Sequence, residues 1–146
     1  MPAQVTSEVR CEPVAGGVTA PAGFRAAGVR CGIKKAGPDV ALIVADARAS
    51  AAALFTTNKA QAAPVVVSQE HLARSGGVAR AIAANSGCAN ACTGAAGLQA
   101  AYGMAAVTAE AIGCAPEEVL VASTGVIGVP IDETKLAAGI NDAARQ

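Results

Sequence analysis

A short apolar segment that ends in Ser123-Thr124-Gly125 constrains the fold of this chain more than any other feature. Residues 119–122 read Val-Leu-Val-Ala, a run typical of a strand buried inside a sheet. The turn that follows can present a hydroxyl group and backbone N–H groups to a cavity. Acyl-transfer enzymes need such fixed donors, because a tetrahedral intermediate places negative charge on one oxygen. An ordinary exit from a strand into a loop is the competing interpretation.

The other apolar segments predict a mixed α/β domain with α+β layers. Hydrophobic residues make up 53% of the sequence and aromatic residues 2%, so the core must consist of Ala, Val, Ile and Leu. We expect a mobile arm over residues 1–15 and one domain over residues 16–146. Strands are predicted near 41–46, 51–57, 64–68, 79–84 and 119–123. Helices are predicted near 95–112 and 132–145, with a short one over 68–73.

Two helix ends carry recognisable signals. Gly113 stands where a left-handed residue would end the helix near 95–112. Asp132 stands where a carboxylate would cap the first turn of the last helix. Residues 16–40 are rich in Gly and Pro and have no helical period, so they predict extended pieces and turns.

Charge and hydropathy exclude several classes of protein. Eleven basic and eleven acidic residues give a formal net charge of zero, which argues against nucleic-acid binding, since that needs clustered Lys and Arg. No apolar run reaches the roughly 20 residues of a membrane span. Residues 1–17 contain no continuous apolar segment that would serve as a signal peptide, so we expect a cytoplasmic protein.

The cysteines and the single histidine give no sign of a metal site. Five cysteines in a chain without an export signal predict free thiols, and we expect them to be buried and inert. Cys88 and Cys92 are four residues apart, but one histidine in the whole chain argues against a Cys/His zinc site. That residue, His71, lies in a polar segment and is predicted to be a surface residue rather than a base.

Residues 85–94, NSGCANACTG, form a polar, glycine-containing segment in front of the predicted helix near 95–112. Such a loop can bind an anion at the helix N-terminus. It lacks the Gly-Lys and GxGxxG patterns that cradle phosphates. A packed loop with satisfied amide groups is the alternative.

Four blocks of the sequence resemble the N-terminal part of the bifunctional ornithine acetyltransferase family, also called glutamate N-acetyltransferases, of arginine biosynthesis. In chain order they are GVTAPAGFRAAGVRCGIKKAGPDVALIVAD (17–46), LFTTNKAQAAPVVVSQEHL (54–72), NSGCANACTG (85–94) and VASTGVIGVPI (121–131). The blocks follow the family order, and the resemblance extends from Gly17 to about Arg145.

The resemblance implies a specific chemistry. Family members cut themselves into an α chain and a β chain, which are expected to form a heterotetramer of two α and two β chains. The new N-terminal threonine of the β chain takes the acetyl group from N-acetylornithine and passes it to glutamate. Some members accept acetyl-CoA as donor, and no further cofactor is expected. By the same resemblance, the hydroxyl of Thr124 and the N–H of Gly125 are the oxyanion-hole donors.

Departures from the family pattern limit what this chain is expected to do alone. The scissile Ala-Thr bond and the lysine-glycine stretch before it do not occur in these 146 residues. Thr93 and Thr124 are internal and lack the free amine that acts as base, so no nucleophile is assigned and the chain alone is expected to be inactive. Cys88 stands where the family usually has Asn. A structural or assembly module, or a small-molecule-binding domain using residues 85–94, are the alternative functions.

Overall fold

One mixed four-stranded sheet forms the centre of the computed structural model, which describes residues 11–146. The strands lie side by side in chain order: β1 (Phe24–Val29), β2 (Val40–Ser50), β3 (Val78–Cys88) and β4 (Val119–Val126). The pairs β1–β2 and β2–β3 are antiparallel, whereas β3 and β4 are parallel. The predicted mixed α/β architecture is confirmed. The predicted arm falls mainly on residues outside the described range.

Three helices complete the fold: α1 (Ala63–Arg74), α2 (Gly94–Ile112), which connects β3 to β4, and α3 (Glu133–Ala144). The predicted ends of α2 and α3 are confirmed. Gly113 ends α2 in the left-handed conformation, with φ of 70°. The Asp132 carboxylate accepts a hydrogen bond from the N–H of Lys135 at 3.1 Å, which satisfies one of the free donors at the start of α3.

Small aliphatic side chains build the core between the sheet and helices α2 and α3. The strands contribute alternate residues and the helices contribute mostly Ala: Val40, Leu42, Val44, Ala81, Ala83, Val119, Val121, Ala101, Met104, Ala105, Leu136 and Ile140. Close approach depends on glycine. A Cβ on Gly139 of α3 would lie 2.8 Å from Cβ of Cys31 and 3.0 Å from Cγ2 of Val40. The core consists mostly of the predicted Ala, Val, Ile and Leu, but it also contains Met104 and Cys88.

The strand predicted near 51–57 is wrong, because that segment leaves the sheet. β2 extends to Ser50, which pairs with Val78, and Val78 is the first residue of β3. The N–H of Ala51 still donates to the carbonyl of Gly77 at 2.8 Å, but beyond it the chain has no neighbouring strand among residues 11–146 to pair with. Side chains bond the local backbone instead: the N–H of Asn58 donates to Oγ1 of Thr56 at 3.2 Å. Such local bonds compete with strand pairing.

The strand predicted near 64–68 is also wrong, because residues 63–74 form helix α1. Pro64 lies in the first turn, where its missing N–H costs nothing and its fixed φ suits a helix. The buried residues Pro64, Val67, Ser68 and His71 follow the i, i+3, i+4, i+7 spacing of a helical face. The short helix predicted over 68–73 therefore begins five residues earlier, and the Val run is its first turn.

Burial of the cysteines differs from the prediction. All five thiols are free, but only Cys88 is buried, while Cys31 and Cys114 are half-buried and Cys11 and Cys92 are exposed. Burial raises the pKa of the Cys31 thiol, and its hydrogen bond with Asp39 raises it further. Burial followed by the charge of Glu118 raises the pKa of Cys114. A thiol with a raised pKa is a poor nucleophile.

A buried carboxylate organises the turn between β1 and β2. Asp39 is only 2% exposed and accepts hydrogen bonds from the N–H groups of Cys31 at 2.6 Å, Gly32 at 3.0 Å and Lys34 at 2.9 Å. Burial by itself would raise the pKa of Asp39. The hydrogen bonds outweigh burial and lower the pKa to about 2, so the turn is held by an ionised group.

Replacing Asp39 with Asn tests this role. Asp39→Asn keeps one acceptor oxygen but brings an NH₂ group towards backbone donors, so we expect the free energy of unfolding to fall by about 2 kcal/mol at pH 7. The folded-state pKa lies below the ordinary value of 3.8. The contribution of the carboxylate is therefore complete above that pH and is lost as the pH falls through about 2. Urea unfolding should show the difference between the two proteins narrowing from pH 4 to pH 2; a difference that stays constant would contradict this account.

Candidate functional site

The predicted oxyanion-hole residues lie where the two parallel strands end together. Ser86 pairs with Thr124 and Gly87 pairs with Gly125. Because the carboxyl ends of parallel strands meet at one edge of a sheet, the last residues of β3 build the surroundings of Thr124 and Gly125. Thr124 is exposed at this edge. The turn predicted at Ser123–Gly125 is wrong, because β4 continues through these residues to Val126. The parallel pairing brings them against the first residues of the segment 85–94.

Gly125 occupies a position that admits no side chain. Its φ is +132°, and a Cβ placed on it would lie 2.3 Å from the carbonyl carbon of Gly87 and 2.6 Å from the nitrogen of Cys88. Real Cβ atoms do not approach backbone this closely. The Gly87–Cys88 peptide therefore lies directly against the α-carbon of Gly125 and fixes where that residue stands.

A bulge in β3 creates this contact. Cys88 stands opposite both Thr124 and Val126, and the regular register stops at Gly87, whose φ is +105°. Bulges re-aim the backbone and are frequent next to active sites. Beyond the bulge the chains stay together, since the N–H of Ala89 donates to the carbonyl of Val126 at 2.9 Å.

The turn held by Asp39 encloses the opposite side of Gly87. A Cβ on Gly87 would lie 2.7 Å from Cγ of Lys34 and 3.0 Å from Cγ2 of Ile33. The Lys34 stem therefore lies directly against Gly87 at the bulge. Sequence analysis assigned these two residues no part in the site, because nothing in their spacing connects them to a glycine more than fifty positions later.

Helix α1 holds the free edge of β4, and here the prediction for His71 is wrong. His71 is 3% exposed, and its Nδ1 lies 2.9 Å from the carbonyl oxygen of Val119. The hydroxyl of Ser68 donates to the carbonyl of Val121 at 2.8 Å and accepts from the N–H of the same residue at 2.9 Å. These side chains provide hydrogen-bond partners for backbone groups at the free edge of β4. The residues around His71 in the sequence are mostly polar, but His71 lies on the inward face of helix α1 and is therefore buried.

The polar loop after the bulge is largely occupied by its own hydrogen bonds. Asn90 is buried with φ of 47°; its Nδ2 donates to the carbonyl of Gly97 at 2.8 Å, and its Oδ1 accepts from the Thr93 hydroxyl at 2.7 Å. These bonds join the loop to the first turn of α2. They favour the packed-loop interpretation of residues 85–94 over an anion site.

Cys88, at which the sequence is expected to depart from the family pattern, makes a polar contact. Its thiol is 5% exposed and donates to the carbonyl of Val129 at 3.1 Å. A small thiol therefore fits the bulge and ties it to the segment after β4. Among residues 11–146, no group of three or more His, Cys, Asp or Glu side chains is arranged to hold a metal ion.

Strand alternation places the Thr124 side chain on the face of the sheet opposite α2 and α3. We call this the open face and define it by Phe24, Ile43, Ile82 and Leu120. Ile43 pairs with Ile82, and Ile82 pairs with Leu120, so the last three form a row across neighbouring strands. Ile82 is 40% exposed and Phe24 37%. An exposed Thr124 on the same face as a partly exposed apolar surface is thus the main chemical feature of the site.

Solved structures share this fold. ArgJ, the arginine biosynthesis bifunctional protein of Bacillus halodurans, is 44% identical with a TM-score of 0.84, over 88% of this chain and 69% of that chain. The ornithine acetyltransferase of Mycobacterium tuberculosis, solved in complex with ornithine, gives the same identity and TM-score over 89% of this chain and 70% of that chain. This chain therefore has the fold of these two proteins over the matched residues.

Sequence comparison identifies the family. The ArgJ proteins of Thermosynechococcus vestitus and Symbiobacterium thermophilum are 52% and 50% identical to this chain, over 86% and 91% of it. Residues 25–146 match the ArgJ family. The chain belongs to the ArgJ family, which confirms the resemblance carried by the four sequence blocks. It spans 30% and 33% of the length of those two relatives.

The contact at Gly125 predicts a large difference between two Gly→Ala variants. Gly128→Ala has a positive φ of 77° but open space around it, so we expect a loss of about 1 kcal/mol in the free energy of unfolding. Gly125→Ala must also separate β4 from the Gly87–Cys88 peptide, and we expect about 2 kcal/mol more. Urea unfolding of both variants measures the difference. Equal losses would contradict the close contact.

Proposed function

We propose that this chain supplies the oxyanion hole of an ArgJ acetyltransferase, with Thr124 and Gly125 as the donors. The observation that carries the proposal is the enforced position of Gly125 against the Gly87–Cys88 peptide, beside an exposed Thr124. Preorganised donors stabilise developing charge without reorganising during the reaction. Membership of the ArgJ family supports the assignment of this geometry to acetyl transfer.

The proposed reaction moves an acetyl group from N-acetylornithine to glutamate in two steps. The hydroxyl oxygen of a threonine nucleophile on the β chain attacks the acetyl carbonyl carbon, and the carbonyl oxygen becomes an oxyanion. Collapse of this intermediate breaks the C–N bond, releases ornithine and leaves an acetyl ester on the threonine. The amine of glutamate then attacks the ester carbon through a second oxyanion, whose collapse breaks the C–O bond, releases N-acetylglutamate and returns a proton from the amine to the threonine oxygen. In both steps the Thr124 hydroxyl and the Gly125 N–H donate to the charged oxygen.

No threonine of this chain is proposed as the nucleophile. The Thr93 hydroxyl is engaged with Asn90, and both Thr93 and Thr124 are internal residues without a free amine to act as base. The proposal therefore needs the β chain produced by self-cleavage of a longer precursor, assembled as two α and two β chains. We propose that acetyl-CoA enters only as an alternative donor, that no other cofactor takes part, and that the enzyme works in the cytoplasm.

The open face is the proposed surface for the rest of the enzyme. Its apolar side chains lie on the same side of the sheet as Thr124, so a partner that covers Ile82 and Leu120 would also enclose the oxyanion hole. Enclosure matters, because donors act more strongly in a site from which water is excluded. The chain spans about a third of its curated relatives, and the remaining part of such a protein is the proposed partner.

Among the helices of residues 11–146, none combines the length and the hydropathy that a membrane span requires.

Replacing Thr124 with Ala tests the proposal. Acetyl transfer from N-acetylornithine to glutamate is measured with this chain alone and with the chain assembled with the remaining part of the ArgJ protein of Thermosynechococcus vestitus. We expect turnover only in the assembly. Thr124→Ala should lower kcat by about 10²–10³-fold, the usual effect of losing one oxyanion donor.

The matched control is Thr134→Ala, which removes an exposed threonine from α3 and should leave kcat within about threefold of the wild type. Acetyl transfer by the chain alone would overturn the requirement for a β chain. An assembled but inactive complex would favour the second candidate, a structural module without chemistry.

A further inference from the structure

Asn85 lies at the base of the bulge and makes one hydrogen bond across it. The residue is 3% exposed, and its Nδ2 donates to the carbonyl of Cys88 at 2.9 Å. Its Oδ1 is buried, and no hydrogen-bond partner for it lies among the described residues. The hydrogen bond to the Cys88 carbonyl is therefore the polar contact that this side chain makes among residues 11–146.

The hydrogen bond from Asn85 spans the two residues at which β3 loses its regular register. Gly87 has φ of +105°, and Cys88 faces two residues of β4 instead of one. Ladder pairing is irregular here, so the backbone needs another constraint. The amide supplies it, because it fixes the Cys88 carbonyl relative to Asn85, whose own pairing with Val40 and Ser123 is regular.

The peptide held in this way is the one that touches Gly125. The position of a Cβ on Gly125 is 2.3 Å from the Gly87 carbonyl carbon and 2.6 Å from the Cys88 nitrogen. No soft side chain separates these backbones, so a displacement of the Gly87–Cys88 peptide is transmitted directly to Gly125. Packed backbone of this kind passes on small shifts rather than absorbing them.

We infer that Asn85 is a positioning residue of the oxyanion hole, acting through the Cys88 carbonyl and the Gly87–Cys88 peptide. This inference rests on the proposed function of Thr124 and Gly125. Asn85 faces the helix side of the sheet together with Ala81 and Ala83, whereas Thr124 faces the open side, so Asn85 does not touch the substrate. Its effect is therefore on the orientation of the donors, and it should appear in kcat rather than in KM.

The chain offers a matched control in Asn90. Both asparagines are almost fully buried, with Asn85 3% and Asn90 2% exposed. Both donate through Nδ2 to a backbone carbonyl, Asn85 to that of Cys88 and Asn90 to that of Gly97. Asn90 bonds the first turn of α2 and not the bulge. Its replacement should cost stability without moving Gly125.

The experiment uses the assembled enzyme and compares Asn85→Ala, Asn90→Ala and Thr124→Ala by steady-state acetyl transfer below the melting temperature of each variant. We expect Asn85→Ala to lower kcat by about 10–10²-fold, since a displacement near 1 Å can cost about 10²-fold, with KM for both substrates within about twofold. Asn90→Ala should lower the melting temperature and leave kcat within about threefold. Equal losses of kcat in the two asparagine variants would overturn the inference.

A double variant separates positioning from general weakening. If Asn85 acts through the oxyanion hole, Asn85→Ala combined with Thr124→Ala should lower kcat by clearly less than the product of the two single effects, because coupled residues are not additive. Multiplicative losses would overturn the inference. If Asn85→Ala does not fold, Asn85→Asp replaces it in the experiment, because Asp has the same shape but lacks the NH₂ donor. If neither variant folds, the role of Asn85 is purely structural and the inference is overturned.

The same data distinguish the inference from the proposal on which it rests. If Thr124→Ala leaves kcat unchanged in an active assembly, the proposed oxyanion hole is wrong, whatever Asn85→Ala does. If Thr124→Ala lowers kcat and Asn85→Ala does not, only the inference about Asn85 is wrong.

Discussion

The contact between the α-carbon of Gly125 and the Gly87–Cys88 peptide is the constraint around which this end of the sheet is built. A Cβ on Gly125 would collide with this peptide, and a Cβ on Gly87 would collide with Lys34 and Ile33 of the turn between β1 and β2. The contact is held from several directions. The turn anchored on Asp39 covers Gly87 from the far side, and Ser68 of α1 bonds both backbone groups of Val121. An exposed Thr124 thus stands on a backbone that has little freedom to move.

Small side chains make such an arrangement possible elsewhere in the fold as well. A Cβ on Gly97 would collide with Oγ1 of Thr93 and Oδ1 of Asn90, so the loop after the bulge closes tightly on α2. Gly139 brings α3 close to Cys31 and Val40. The core has few large anchors and gains its stability from many close contacts between Ala, Val and Ile. In contrast, the open face leaves apolar side chains uncovered, which is where we propose that the rest of an ArgJ enzyme binds.

Sequence patterns predicted the elements whose signals are local. The run at 119–122 gave the start of β4, and Gly113 and Asp132 marked helix ends that the structure confirms. The strand predicted near 64–68 was wrong, because a short Val run is equally compatible with a strand and with the first turn of a helix. The strand predicted near 51–57 was wrong for another reason. A strand needs a neighbouring strand to pair with, and whether residues after Ser50 have one depends on where β3 begins. Family resemblance pointed to Thr124 and Gly125, but the sequence held no sign that Gly87 and Asn85 position them, since that depends on a bulge.

The most direct test of the central claim is a crystal structure of this chain assembled with the remaining part of ArgJ and bound to a phosphonate that mimics the tetrahedral intermediate. The account predicts that the anionic oxygen lies about 2.7–3.1 Å from both the Thr124 hydroxyl and the Gly125 nitrogen, with Gly125 still against the Gly87–Cys88 peptide. An anionic oxygen bound by other groups, with Thr124 and Gly125 making no contact to it, would contradict the account.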